Sequence, residues 1–163
     1  MRILAASTVV LLALALPGFA SAQTRPNVQL KLTGSIVTKS PDGKTALTPV
    51  EKEAPKSGDD VEYDIAATNA GTAPALKLMP KAKIPSGTAY VDGSAKAPRA
   101  KVEFSLDQGK TWSAHPTVTV AGPNGTPVVK PADPSLYTMI RFITDGALAP
   151  HGTLLYTYEV HVK

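Results

Sequence analysis

The sequence predicts an all-β domain, a sandwich or a barrel, and three observations carry that reading. Apolar and polar residues alternate with period two in five separate stretches. Glycine, proline, asparagine and aspartate combinations punctuate the chain between them. Prolines number 15, and beyond Pro17 the longest run without one is 56–73. Proline interrupts a helix interior, so this spacing excludes a bundle of long helices.

The alternating stretches justify the strands in order. Val28, Leu30 and Leu32 alternate with Gln29 and Lys31. Val61, Tyr63 and Ile65 alternate with Glu62 and Asp64. Val102, Phe104 and Leu106 alternate with Lys101, Glu103 and Ser105. Val118 and Val120 alternate with Thr117 and Thr119. Leu154, Tyr156, Tyr158, Val160 and Val162 alternate with residues that include Thr157, Glu159 and His161. Each has the pattern of a strand with one buried face. Their β-branched and aromatic residues suit a pleated surface. Pro41-Asp42-Gly43, Asn69-Ala70-Gly71, Asp92-Gly93, Pro123-Asn124-Gly125 and Pro150-His151-Gly152 are among the turns that separate them. Leu136, Met139, Ile140 and Ile143 also fit a helical spacing, but Tyr137, Thr138, Ile140, Phe142 and Thr144 favour a strand there. Residues 38–58 are poor in large apolar groups and read as a mobile loop with a short edge strand at 47–50. The N-terminal strand, 28–37, reads as an edge.

The first 22 residues read as a secretory signal peptide. Arg2 supplies the positive start, 3–16 is apolar apart from Ser7 and Thr8, Pro17-Gly18 breaks the helix, and Ala20-Ser21-Ala22 is a small-x-small cleavage site. The apolar run is shorter than the roughly 20 residues that a membrane-spanning helix needs. The expectation is an exported chain, periplasmic or at the cell surface, with one domain over 23–163 and no transmembrane span once the leader is removed. There is no cysteine, which excludes disulfides, thiolate metal sites and a thiol nucleophile. It also points to a bacterial envelope rather than a disulfide-stapled secreted scaffold. The formal net charge of +4 is mild, and the lysines are scattered without interleaved aromatics, so no nucleic-acid partner is expected.

Three blocks carry a family resemblance. The first runs from Ser57-Gly58-Asp59 through Tyr63, Ile65, Asn69 and Gly71 to Ala75. The second is Ile84-Pro85-Ser86-Gly87 through Asp92-Gly93-Ser94. The third joins Val102–Trp112 to the stretch from Pro131 through Arg141-Phe142 to His151-Gly152. Together they resemble the conserved-repeat domain of bacterial envelope proteins, known as domain of unknown function eleven. The Tyr63-x-Ile65-x-x-x-Asn69-x-Gly71 element is the most specific part. The resemblance implies an immunoglobulin-like β-sandwich of about seven to nine strands and no catalytic residues. Lys81 and Lys83 stand where members often carry an acidic residue, and only one copy is present. In physical terms, Tyr63 and Ile65 face the core, and Asn69 and Gly71 are expected to reverse the chain through positive φ.

A second motif is Ser105-x-Asp107-x-Gly109-x-Thr111-Trp112, an Asp box. It is frequent in glycan-handling β-propellers, but a propeller needs several four-stranded blades. The reading here is a hairpin clip: Asp107 accepts turn amides, Gly109 takes a left-handed turn, and Trp112 packs beside Phe104 or Leu106. The remaining chemistry is sparse. His115, His151 and His161 lack metal-ligand spacing. Asp59, Asp60 and Glu62 cluster at a strand entry, but a calcium site needs six or more oxygen ligands and no Asp-x-Asp-x-Asp-Gly loop is present, so calcium is not the expected ligand. No Gly-x-Ser-x-Gly elbow and no Gly-x-Gly-x-x-Gly loop occurs. The expectation is a non-enzymatic cell-envelope protein without a cofactor, an interaction or structural module whose partner is an envelope protein or a surface polysaccharide. A glycan-binding module built on Trp112 and a fimbrial-type subunit are the alternatives. The 38–58 segment and the 28–37 strand are the expected contact elements.

Overall fold

The computed structural model describes residues 24–163. The signal peptide read at 1–22 lies outside the described residues. The described residues are all-β, with twelve strands: β1 (Val28–Lys39), β2 (Thr45–Pro49), β3 (Asp60–Asn69), β4 (Ala75–Leu76), β5 (Lys81–Lys83), β6 (Thr88–Tyr90), β7 (Ala100–Ser105), β8 (Thr117–Ala121), β9 (Pro127–Pro131), β10 (Met139–Thr144), β11 (Ala147–Leu148) and β12 (Thr153–Val162). One sheet has the order β2-β1-β3-β12-β6 and a second the order β5-β10-β7. Two small ribbons, β4 with β11 and β8 with β9, complete the set. Every pairing is antiparallel.

Period two builds the core directly. On the inner face of the larger sheet, Ile65 lies opposite both Leu32 and Tyr156, Tyr63 opposite Tyr158, and Val61 opposite Val160. Ile140 and Phe142 of β10 and Phe104 of β7 face them from the second sheet, all within one buried cluster. Phe142 and Tyr156 meet across the layers with ring centroids 5.1 Å apart. Packing the inner faces of two antiparallel sheets in this way makes a β-sandwich. The two fully buried tyrosines each keep a hydrogen-bond partner. The hydroxyls of Tyr156 and Thr144 lie 2.7 Å apart, and that of Tyr158 donates to the Lys83 carbonyl at 3.1 Å. Burying those hydroxyls unpaired would be costly.

Several expectations are corrected. The strand count exceeds seven to nine because β4, β5, β6 and β11 are only two or three residues long, too short to show a period. Val118 and Val120 do not bury a face in the core: among the described residues β8 pairs only with β9, and Val120 itself is 37% exposed. Within 38–58 the edge strand expected at 47–50 is present as β2, beginning two residues earlier at Thr45. The segment also holds the end of β1 and a turn at Asp42-Gly43, and β2 pairs with Ser35–Lys39. The strand at 28–37 is therefore an edge only in its first half, since β2 covers the second. The strand expected after Tyr137 is present as β10, preceded by one short 3-10 turn at Pro134–Leu136.

Candidate functional site

The Asp box forms a closed clip at the end of β7. The Ser105 hydroxyl donates to Asp107 Oδ1 at 2.7 Å and accepts the amides of Asp107 and Gly109. The Asp107 carboxylate accepts the Lys110 and Thr111 amides and the Thr111 hydroxyl. These bonds to its charged form hold the Asp107 carboxyl well below the usual range, the Thr111 amide and hydroxyl contributing most. Gly109 has φ +90°, the left-handed conformation that favours glycine, and a Cβ there would press on the flexible Met139 side chain, 3.0 Å from its Sδ. Trp112 Nε1 donates to the Gly109 carbonyl at 3.0 Å. Its ring carries the Arg141 guanidinium at 4.6 Å and the Lys81 ammonium at 5.6 Å. The indole is thus committed within the protein through its N–H and through cation–π contact.

The Tyr63, Ile65, Asn69, Gly71 element works differently from the turn expected of it. Neither Asn69 nor Gly71 has positive φ. Asn69 is completely buried and ties three chain segments together. Its Oδ1 accepts the amides of Asn27 and Gly71, and its Nδ2 donates to the carbonyls of Ala73 and Leu148. Gly71 is needed for proximity: a Cβ there would lie 2.2 Å from the Arg25 carbonyl oxygen and 2.5 Å from the Asn27 nitrogen. Ile65 is buried in the core. Tyr63 is half-buried and stacks on Tyr158 at 5.4 Å.

A third place lies along the 28–37 strand expected as a contact element, although no cleft was expected there. Between the first half of β1 and the short β5, the sandwich opens into a cleft of about 580 Å³ floored by Leu30, Leu32, Ile65, Ala82 and Tyr158. Leu30 and Leu32 lie on the inner face yet are 54% and 55% exposed, because the opposing sheet stops short of them. Pro80 and Pro85 bracket β5 and restrict its length. Lys81 and Lys83 stand on its rim. Desolvation, with Tyr63 alongside, pushes the Tyr158 phenol upward, so it stays a neutral donor to β5. The available signal was the pairing of an apolar alternation with a proline-bounded three-residue strand opposite. Their juxtaposition, however, is a tertiary fact.

His115 and His151 are exposed, and His161 Nδ1 lies 2.8 Å from Asp60 Oδ1. Among the described residues, no group of three histidine, aspartate or glutamate side chains is placed to hold a metal ion. None of their helices is long and apolar enough to cross a membrane. In comparisons with known proteins, no family model matches the chain, and neither a curated protein nor a solved structure matches it.

Proposed function

We propose that this chain is a non-enzymatic, exported cell-envelope protein, an immunoglobulin-like module that works by presenting a sheet edge to another envelope component. The observation that carries the reading is the first half of β1. Among the described residues it is a strand edge without a partner strand, beside two exposed leucines and an apolar cleft. Proteins normally blunt or cover such edges, and an exposed apolar cleft of this kind marks an interaction site. The leader-like first 22 residues and the resemblance to the envelope repeat domain support the location. The engagement of Trp112 with Gly109 and Arg141 favours a structural hairpin over a sugar-stacking platform.

The test is fractionation of the source cell after gentle crosslinking, with native sizing of each fraction. A large envelope-bound species is the expected result. A free species of ~15 kDa, the size of one isolated domain, recovered without crosslinked neighbours would sink the proposal.

A further inference from the structure

The cleft identifies the shape and charge of what fits it. β2 runs beside Ser35–Lys39 and no further, while β1 begins at Val28. Residues 28–33 therefore pair with β3 on one side and, among the described residues, with no strand on the other. The Asn27 carbonyl accepts the Ala70 amide on the β3 side, whereas the Gly34 carbonyl accepts the Val50 amide on the β2 side. The register between β1 and β3 is unbroken, so alternation directs the amide and carbonyl of both Leu30 and Leu32 toward the open side. Their side chains meanwhile form part of the cleft floor. The vacant position continues the line of β2 and is about 20 Å long, at roughly 3.3 Å per residue.

We propose that this position takes an extended segment of a partner protein by strand addition, with apolar residues facing inward and carboxylates facing outward. The inference rests on the interaction role proposed above and names its occupant. Main-chain bonds to Leu30 and Leu32 supply the pairing, and alternate side chains fill the floor. The charge requirement comes from the rim. Lys31 lies on the open strand and Lys83 on β5, no carboxylate lines the cleft, and neither lysine is ion-paired among the described residues, whereas the Lys81 ammonium is held over the Trp112 ring. A second copy is a poor occupant. The strand from Val28 to Lys39 contains no acidic residue, so two such edges would bring lysine toward lysine.

The probe is a synthetic peptide of about nine residues alternating valine and glutamate, titrated into the isotope-labelled full chain; its counterpart alternates valine and lysine. Saturable amide shifts and slowed hydrogen exchange centred on Leu30 and Leu32 are expected, with affinity about tenfold lower for the lysine peptide. Leu32→Pro removes an outward amide and should abolish binding. If that variant does not fold, the double charge reversal Lys31→Glu with Lys83→Glu, which touches only exposed side chains, should invert the preference between the two peptides. Absence of saturable shifts at millimolar peptide, equal affinity for both peptides, or protection of Leu30 and Leu32 by self-association without peptide each overturn the inference. An envelope-bound chain indifferent to the peptide overturns this inference alone. A peptide-binding chain recovered only from the cytoplasm overturns the envelope role alone.

Discussion

The Asp-box clip and the Asn69 clamp both look like turn chemistry in the sequence, yet they hold the chain at different ranges. Asp107 bonds to residues no more than four positions away, and the loop it closes lies at the surface. Asn69 reaches 42 residues back to Asn27 and 79 forward to Leu148, and is wholly buried. A local clip shapes one hairpin, so its loss is confined there. A buried long-range clamp fixes how separate segments lie against one another, so its loss exposes several unpaired groups at once.

The largest effect is expected at Asn69. Asn69→Ala strands the Asn27 and Gly71 amides and the Leu148 carbonyl, and should cost about 3–5 kcal/mol, from roughly 1–3 kcal/mol per buried orphaned group. Urea unfolding measures it. A loss no larger than that of an ordinary surface substitution would erase the distinction between clamp and clip. Gly71→Ala should follow, at about 3 kcal/mol for overpacking against backbone, with the lead-in segment at Arg25 displaced. Because Gly71 has ordinary φ, Gly71→Asn should be no better tolerated; near-wild-type stability for that variant would restore the left-handed turn. Tyr156→Phe removes a single buried long-range bond to Thr144 and should cost about 1 kcal/mol.

Asp107→Asn should be milder and local. Faster hydrogen exchange at Thr111 is expected with little change in the global unfolding midpoint. The native carboxyl is depressed, so its contribution is complete above the ordinary carboxylate pKa of about 3.9 and is lost as pH falls from there toward its folded value. Wild-type exchange at Thr111 should therefore accelerate relative to the core below about pH 4, and Asp107→Asn should flatten that response. The smallest change is at Glu62, which touches neither motif. Burial raises its carboxyl first, and Asp64 and Glu159 add repulsion; Glu159 sits directly opposite on β12. A raised carboxyl favours the folded state when protonated and loses that advantage as pH rises. Glu62→Gln should thus stabilise by roughly 0.5 kcal/mol at pH 7, as expected for relief of a like-charge cross-strand pair, with the gain fading toward pH 4. Thermal melts at both pH values check the sign.

What the sequence made legible follows from the reach of each signal. β3, β7 and β12 and the inward set Val61, Ile65, Tyr156, Tyr158 and Val160 were visible because alternation is a property of adjacent residues. The Asp box was visible for the same reason, its bonds spanning no more than four positions. β9 was hidden by Pro127 and Pro131 at its ends. The three residues of β5 are too few to declare a period. Val118 and Val120 alternate correctly, but periodicity does not say which sheet a strand joins. Leu30 and Leu32 show the same limit inside the sandwich: the pattern identified the inward face, and only the brevity of β5 leaves that face open. Asn69 and Gly71 were singled out for the wrong physics, because amide clamps and close backbone approaches depend on segments distant in the chain.

The single tryptophan has a consequence for how unfolding will look by eye. Trp112 belongs to the clip, with its indole N–H on Gly109 and a guanidinium over its ring, whereas Tyr156 and Tyr158 belong to the centre. The molecule therefore carries two intrinsic optical reporters at separate addresses. Indole emission follows the rim, and tyrosine absorbance in alkali, where buried phenols resist ionising until water reaches them, follows the interior. A spectrum in which the two part company marks a hairpin that has come undone on an intact sandwich.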